Sequence, residues 1–299
     1  MFQRLVALSA LALMLFAAHS SHAADCRLAY NAKVQYAPQV LALQKGWYGD
    51  EVSKIIGIDL GVSAGIAAAE ALVSGSADVG VMGDVPALIA LASARPCVLV
   101  TSYGGGDGMH SIVVSEKSGI TSPEELAGKR IGVQFGSSTH GAVSLYLKTH
   151  GLLDSAKLVN VKQNALVEAL IVGDIDALAA SERFEKQFHC GERLRVCCDL
   201  YVAQALDSVN AKCRICDGVL DGSDFVNESE ALNVLVAGTQ KAVDYINSDP
   251  ITAGLELSKA TGISAAQEQN TLRKLEWKIA LDEAVLSSLE QTAAFLHSI

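Results

Sequence analysis

Proline and aromatic residues are scarce in this chain, which has five prolines and 5% aromatic residues among 299. The chain also has no low-complexity segment. Its composition is therefore not that of a proline-rich disordered protein, which could not build a packed core. Positive charge is scarce as well, because 23 lysines and arginines stand against 33 aspartates and glutamates and leave a net charge of −10. We therefore expect no nucleic acid and no anionic membrane surface as a partner, although a pocket rich in donors can still hold a small anion.

Common catalytic motifs are also absent. The chain has no H-E-x-x-H and no Walker A loop, because the glycine-rich segment 104–108 lacks the lysine of a P-loop. We expect no enzyme activity, no cofactor and no resident metal. The same glycine-rich segment fits either a hinge between two lobes beside a ligand or a simple flexible loop, and both interpretations stay open.

Beyond the amino terminus, no hydrophobic run is long enough to cross a bilayer. Arg4, the apolar stretch 5–18 and a small-x-small site that ends at Ala23 predict a signal peptide over residues 1–23. Cleavage after Ala24 is the alternative. We expect an exported protein that does not span the membrane.

Strand and helix patterns alternate along most of the chain. Strands are predicted at 26–30, 55–62, 77–82, 98–103, 111–114, 130–135, 157–161 and 176–180, and helices at 38–45, 66–73, 86–94 and 164–172. From residue 228 onward the pattern is almost entirely helical. Helices between the strands predict crossover connections, mostly parallel sheets and an α/β fold.

The segment 119–152 is the most informative part of the chain. A capping box that starts at Ser122 precedes a buried strand. A turn of Ser137, Ser138 and Thr139 then enters an amphipathic helix, and such a turn offers backbone N–H groups, hydroxyls and a positive helix end to a small anion. The alternative is an ordinary strand-to-helix connection with a serine N-cap.

Three stretches of the sequence carry a resemblance to a known family. Residues 135–140 (F-G-S-S-T-H), after G-K-R-I-G-V, are similar to the Gly-Ser-Ser-x-His element of aliphatic sulfonate binders. Residues 72–79 resemble an L-x-S-G-x-A-D run, and residues 242–263 resemble a helix, an Asn-x-Asp-Pro break and a second helix. The chain thus resembles the substrate-binding proteins of bacterial ABC importers for sulfonates, taurine, nitrate and thiamine precursors.

The resemblance implies the two-lobed periplasmic binding protein fold of type II, with each lobe a mostly parallel sheet flanked by helices. Lobe 1 would comprise residues 24–108 and 225–299, and lobe 2 residues 109–224. A small-molecule ligand would lie in the cleft at the carboxyl ends of the strands. Closure of the lobes would create a surface, and an inner-membrane ABC permease with its ATPase would recognise this surface. The protein would be a monomer in the periplasm.

Candidate ligand contacts are the residues that follow the predicted strands, strengthened by the matched motifs. From lobe 1 they are Tyr30, Asn31, Gln35, Ser63, Ala64, Gly65, Gly83 and Asp84, and from lobe 2 they are Ser137, Ser138, Thr139, His140, Ser181, Glu182 and Arg183. Asp84 is alternatively an N-cap of the helix that follows it, and His140 alternatively packs or caps.

Two features depart from the family pattern. Where sulfonate binders usually carry an aromatic residue, this chain has Glu182 and Arg183, which fit either a zwitterionic ligand or a surface ion pair. The chain also has seven cysteines, which in an exported protein predict structural disulfides. A soft-metal or redox site, or inert buried thiols, are the alternatives for the cluster in lobe 2, which comprises Cys190, Cys197, Cys198, Cys213 and Cys216.

Together these patterns favour a periplasmic receptor that delivers a small organic anion or zwitterion, of the sulfonate or taurine type, to an ABC importer. Two alternatives stay open. One is a cysteine-based metal- or redox-binding protein. The other is an enzyme on the same fold related to the thiamine-pyrimidine synthases, to whose cysteine-rich tract residues 197–198 are faintly similar.

Overall fold

The computed structural model describes residues 26–49, 55–61, 65–93, 97–105, 109–181, 188–189, 192–199, 208–213 and 222–298. The predicted signal peptide over residues 1–23 lies outside these ranges. So do the candidate contacts Ser63, Ala64, Glu182 and Arg183. No helix within these ranges is both long enough and apolar enough to cross a bilayer.

Two six-stranded sheets form the frame of the protein. Their strands are β1 (Cys26–Tyr30), β2 (Ile55–Asp59), β3 (Val79–Met82), β4 (Cys97–Gly105), β5 (Ser111–Ser115), β6 (Arg130–Val133), β7 (Lys157–Asn160), β8 (Ala177–Ala180), β9 (Phe188–His189), β10 (Glu192–Asp199), β11 (Ser208–Cys213) and β12 (Glu276–Ala280). The first sheet has the order β12-β4-β11-β3-β1-β2, and the second has the order β7-β6-β8-β5-β10-β9.

Each sheet is built around three parallel strands. β1 pairs in parallel with β2 and β3, and β6 pairs in parallel with β7 and β8. The other pairings that the structure describes are antiparallel. The sheets are therefore mixed, and the expectation of mostly parallel sheets is wrong. Two neighbouring parallel strands must be joined by a long crossover connection. Strands that connect one sheet to the other are not bound by this requirement, so they can pair antiparallel with their neighbours.

Helices cover both sheets. They are α1 (Ala37–Gln44), α2 (Gly65–Ser74), α3 (Asp84–Leu91), α4 (Ser138–Thr149), α5 (Leu166–Ile171), α6 (Gly222–Ser248), α7 (Pro250–Thr261), α8 (Ala265–Lys274) and α9 (Glu283–His297). Buried side chains of α1, α6, α7 and α8 form one core with the first sheet, and those of α4 form a core with the second sheet. The predicted alternation of strands and helices is thus present over the described part of the chain.

The chain passes between the sheets at two places. β4 belongs to the first sheet and β5 to the second, with the glycine-rich residues 106–108, outside the described residues, between them. β11 lies in the first sheet, between β3 and β4. The chain therefore returns to the first sheet before residue 224, the limit that the sequence analysis gives to lobe 2.

The carboxy-terminal region contains a strand that its helical pattern does not predict. β12 brings Trp277 over β4, where a Cβ atom on Gly104 would lie only 2.8 Å from the indole ring. The indole N–H of Trp277 donates to the carbonyl of Leu272 at 2.9 Å, so the buried ring has its donor satisfied. Gly104, the first glycine of the segment 104–108, is therefore required by close packing, because any side chain at this position would displace the indole ring of Trp277.

The cysteines have different environments. Cys97 is disulfide-bonded, and the strand register places it opposite Cys213. Cys26 and Cys197 are half-buried and pack against the cores of the first and second sheets. Within the described residues, no three His, Cys, Asp or Glu side chains are grouped to hold a metal ion. The side chains of the other cysteines in the lobe 2 cluster lie outside the described part: Cys190, Cys198, Cys213 and Cys216.

An arginine–aspartate clamp ties β1 to the residue that precedes β3. The Arg27 Nε and Nη2 atoms donate to the Asp78 carboxylate at 3.0 and 2.8 Å. The Arg27 backbone N–H donates to the same carboxylate at 2.8 Å, and Nη2 also reaches the Gly75 carbonyl at 2.9 Å. One side chain therefore joins the start of two parallel strands and the end of the helix between them.

The second sheet repeats this clamp. The Arg130 Nε and Nη2 atoms donate to the Asp176 carboxylate at 3.1 and 2.9 Å, its backbone N–H donates at 2.8 Å, and Nη2 reaches the Gly173 carbonyl at 2.7 Å. An E-A-L-x-x-G-x-x-D pattern at residues 70–78 recurs at residues 168–176. Both glycines have φ near +80°, which lets the chain leave a helix at little steric cost. The two sheets thus contain one repeated β-α-β unit.

We expect Asp176→Asn to lower the midpoint of thermal unfolding by about 2–4 °C at pH 7, because an amide cannot accept the paired Arg130 hydrogen bonds as a carboxylate does. Asp174→Asn, an exposed carboxylate in the same turn, is the control and should change the midpoint little. Differential scanning calorimetry measures both.

The pH dependence tests the same clamp. Hydrogen bonds from Arg130 hold the pKa of Asp176 below its ordinary value of 3.8. A depressed folded pKa stabilises the protein above the unfolded pKa, and this contribution is lost as the pH falls through the folded value. The difference between wild type and Asp176→Asn should therefore close below about pH 4. A difference that does not change with pH would contradict this role of the clamp.

Candidate functional site

A cleft with an empty volume of about 550 Å³, part of which is open to solvent, lies between the two sheets. The first sheet and its connections contribute Lys33, Gln35, Tyr36, Gly65, Gly83 and Pro86 to its lining, and the second contributes His110, Gln134, Ser137, Ser138, Thr139, Gln163, Leu166, Ala179, Ala180 and Ser181. Amides, hydroxyls and glycines dominate this lining. Among the described lining residues there is one lysine and no carboxylate.

The amino terminus of α4 forms one wall of the cleft. Gly136, with φ of 77°, turns the chain after β6, and Ser137 is the N-cap. The Ser137 hydroxyl is occupied within the turn, because it accepts the His140 backbone N–H at 3.2 Å and donates to the Gln134 carbonyl at 2.6 Å. Ser137 therefore has the N-cap role that the sequence analysis gave as the alternative. The hydroxyl of Ser137 is committed locally, so the other groups of the turn are the ones available to a ligand.

The next two hydroxyls of α4 differ in their partners. The Thr139 hydroxyl lies 3.0 Å from Nδ1 of His110, and both residues are buried in the cleft wall. The Ser138 hydroxyl is buried without any hydrogen-bond partner among the described residues. A buried hydroxyl without a partner is costly, and one that lines a cleft at a positive helix end is suited to an anion.

The opposite wall follows β1. Lys33 is 8% exposed and Gln35 is 5% exposed, and both lie in the short segment that leads into α1. The Gln35 side-chain amide donates to the Ser181 carbonyl at 2.5 Å, although the two residues are 146 positions apart. A Cβ atom on Gly141 of α4 would lie 2.9 Å from a methyl group of Val85 in α3. The two walls of the cleft therefore touch.

Seven candidate contacts from the sequence meet in the cleft: Gln35, Gly65, Gly83, Ser137, Ser138, Thr139 and Ser181. They converge because the carboxyl ends of the parallel strands of both sheets face each other across the cleft.

Four other candidates lie outside the cleft lining: Tyr30, Asn31, Asp84 and His140. The Asn31 amide donates to the Gly61 carbonyl at 2.9 Å, and Tyr30 packs against the core of the first sheet. Asp84 accepts the Val85 N–H at 2.7 Å, but it is the first residue of α3 and Gly83 is the N-cap, so the N-cap role given as its alternative is wrong.

His140 has the packing role that the sequence analysis gave as its alternative. Its ring stacks on Phe135 with centroids 4.5 Å apart, and the Gly136 N–H donates to its Nδ1 at 3.4 Å. Burial lowers the pKa of His140 from its ordinary value of 6.5, which favours the neutral ring.

The sequence analysis missed several lining residues. Gln134, Gln163 and Ala180 follow or end β6, β7 and β8, so the rule that selected Ser181 also identifies them. Lys33 stands between two selected residues in the segment after β1. His110 carries no such signal, because it precedes its strand rather than following one.

Known proteins are similar to this chain in sequence. The family model described as NMT1/THI5 like matches residues 33–253. The taurine-binding periplasmic protein of Escherichia coli (strain K12) is 30% identical over 175 residues, which are 56% of this chain and 51% of that protein. The chain spans about half the length of this curated relative.

Solved structures show the fold. The alkanesulfonate-binding protein of Xanthomonas axonopodis pv. citri, bound to MOPS, has a TM-score of 0.79 at 21% identity, over 92% of this chain and 93% of that chain. A conserved gene product of Candida albicans, described as having the generic periplasmic binding protein fold, has a TM-score of 0.75 at 15% identity, over 92% and 91%. The two-lobed periplasmic binding protein fold expected from the sequence is confirmed.

We expect Thr139→Val to lower the free energy of unfolding by about 1–3 kcal/mol, because it leaves a ring nitrogen of buried His110 without this hydrogen bond. Thr149→Val, at the exposed end of the same helix, is the control and should cost less. Urea denaturation followed by circular dichroism measures both. Equal losses at the two positions would show that the contact with His110 contributes nothing specific.

Proposed function

Because the chain belongs to the NMT1/THI5-like family, we propose that it is a solute-binding receptor that holds a small organic anion or zwitterion, of the sulfonate or taurine type, in this cleft. It delivers the ligand to an ABC importer, whose permease and ATPase are its partners. It acts in the periplasm as a non-enzymatic monomer after cleavage of a signal peptide near Ala23. The names of the Escherichia coli taurine-binding and Xanthomonas alkanesulfonate-binding proteins support this proposal.

The observation that carries the proposal is the amino terminus of α4. A helix leaves its first backbone N–H groups without partners in the preceding turn, and although Ser137 takes that of His140, the dipole favours negative charge at this end. The Ser138 hydroxyl adds a buried donor that no described protein group uses. The negative group of the ligand lies against this turn, held by backbone N–H groups and by Ser138.

Contacts between the two walls support a closed state that surrounds the ligand. The Gln35–Ser181 hydrogen bond and the packing of Val85 against Gly141 both join the first sheet's side to the second sheet's side. Both lie beside or at the cleft, so opening the lobes must break them before a ligand can leave. A ligand that contacts both walls stabilises the closed arrangement, and this differential affinity is what a partner can sense.

Binding is tested first with ethanesulfonate and taurine. A ligand that binds only the folded protein raises the free energy of unfolding, by about 2.7 kcal/mol at 100 times its dissociation constant. We therefore expect a concentration-dependent rise in the thermal midpoint with at least one of these sulfonates. Calcium chloride and glycine serve as controls for ionic strength and for the zwitterion without a sulfonate.

The position of the anion is tested with a matched pair of variants in α4. Ser138→Ala should weaken sulfonate binding about 10-fold in isothermal titration calorimetry, because a hydrogen bond to a charged group is lost. Ser144→Ala is the control: its hydroxyl is also buried without a described partner, but it lies outside the cleft lining. Equal affinities in both variants would reject the assigned position, and no binding of any sulfonate by wild type would reject the function.

A further inference from the structure

We propose that Gln134 binds the acidic group of the ligand through its side-chain amide, which the backbone of Gln163 holds in one orientation. This inference rests on the proposed function, since it adds a specific donor to the same cleft. The amide carries two N–H donors, which suit a ligand group that only accepts hydrogen bonds, such as a sulfonate.

Gln134 is fixed at the wall of the cleft by its own backbone. It follows β6 directly and precedes the turn that begins α4, and it belongs to the cleft lining. Its carbonyl accepts the Ser137 hydroxyl at 2.6 Å and the Ser137 N–H at 3.3 Å. The side chain of Gln134 therefore starts from a defined position beside the ligand.

One hydrogen bond decides which atom of the Gln134 amide is left for a ligand. The backbone N–H of Gln163 donates to Oε1 of Gln134 at 3.1 Å. A backbone N–H can only donate, so the amide atom beside it must be the oxygen and not the nitrogen. The N–H donors on Nε2 are then the part of the side chain that remains, and no described residue accepts a hydrogen bond from them.

Two donors of different kinds thus belong to the same turn. Ser138, four positions after Gln134, has a buried hydroxyl without a described partner, and both residues line the cleft. The oxygens of one sulfonate can accept from both donors at once. Because the Gln134 amide is already oriented, it loses little rotamer freedom when the ligand binds, so more of the hydrogen-bond free energy becomes affinity.

The orienting N–H can be removed while the turn around it is kept. Gln163 is the first residue of a short 3-10 helix, Gln163–Ala165. Proline is favoured at the first position of a helix, where its φ angle fits and the helix does not need its N–H. The preceding Lys162 has φ of −59° and ψ of 141°, an extended conformation of the kind that a residue before proline prefers.

The first test removes the amide donors. Isothermal titration calorimetry compares wild type, Gln134→Met and Gln134→Glu, each with ethanesulfonate and with taurine. Gln134→Met has a side chain of similar length without N–H donors and should bind about 10-fold more weakly. Gln134→Glu still accepts the Gln163 N–H but presents an oxygen in place of the amide nitrogen, so it should bind at least as weakly as Gln134→Met.

The second test separates the orientation of the amide from a general effect on the fold. Gln163→Pro and Gln163→Ala both lose the Gln163 side chain, but only the proline variant loses the N–H. We expect Gln163→Pro to bind about 5-fold more weakly than Gln163→Ala. Combined with Gln134→Met, the same two substitutions should give equal affinities, because the amide that the N–H orients is gone. Circular dichroism spectra identify any variant that fails to fold, and the remaining variants then decide.

The outcomes distinguish this inference from the proposed function. The role of Gln134 is overturned by unchanged affinity in its two variants, by equal affinities of Gln163→Pro and Gln163→Ala, or by a proline effect that persists with Gln134→Met. Each of these leaves the receptor function standing. Binding of neither ethanesulfonate nor taurine by wild type overturns both.

Discussion

The arginine–aspartate clamp fixes the amino ends of the strands on which the cleft depends. Arg27 and Arg130 each join a parallel strand to the residue before its neighbour and to the end of the connecting helix. The cleft lies at the opposite, carboxyl ends of the same strands. Because the strands run only four or five residues from the clamp to the cleft, their directions there are set by a bidentate contact of defined geometry.

Satisfaction of polar groups decides which side chains of the cleft remain for a ligand. Along α4, Ser137 is used by its own turn and Thr139 contacts His110, whereas Ser138 is buried without a described partner. Asn31 lies outside the cleft lining, and its side-chain N–H group donates to the Gly61 carbonyl. Desolvation raises the strength of every contact that remains. A cleft with few available donors can therefore still bind an anion in a protein whose net charge is −10.

Periodicity and capping residues predicted much of the fold. The strand predicted at 26–30 is β1 without any shift, and Ser137 caps α4 as its position before an amphipathic run indicated. The rule that ligands bind at the carboxyl ends of strands selected Ser138 and Ser181 correctly as residues of the cleft lining. It failed at His140, whose ring stacks on a neighbour five positions earlier in the chain, a contact that strand ends do not indicate. It also omitted Gln134 and Gln163, which obey the same rule.

The sequence by itself determined strands β1 to β8, the helix caps and the order of the β-α-β units, because these depend on side chains within one or two helical turns of each other. Only the tertiary structure decided which residues meet across the cleft. Gln35 and Ser181, 146 positions apart, become hydrogen-bond partners because two separately clamped sheets present their strand ends to one another. β12 likewise forms where a helical pattern was expected, since its pairing partner β4 lies far away along the chain. Contacts of this kind have no local signature, because their free energy comes from burial and pairing that exist only once both sheets have formed.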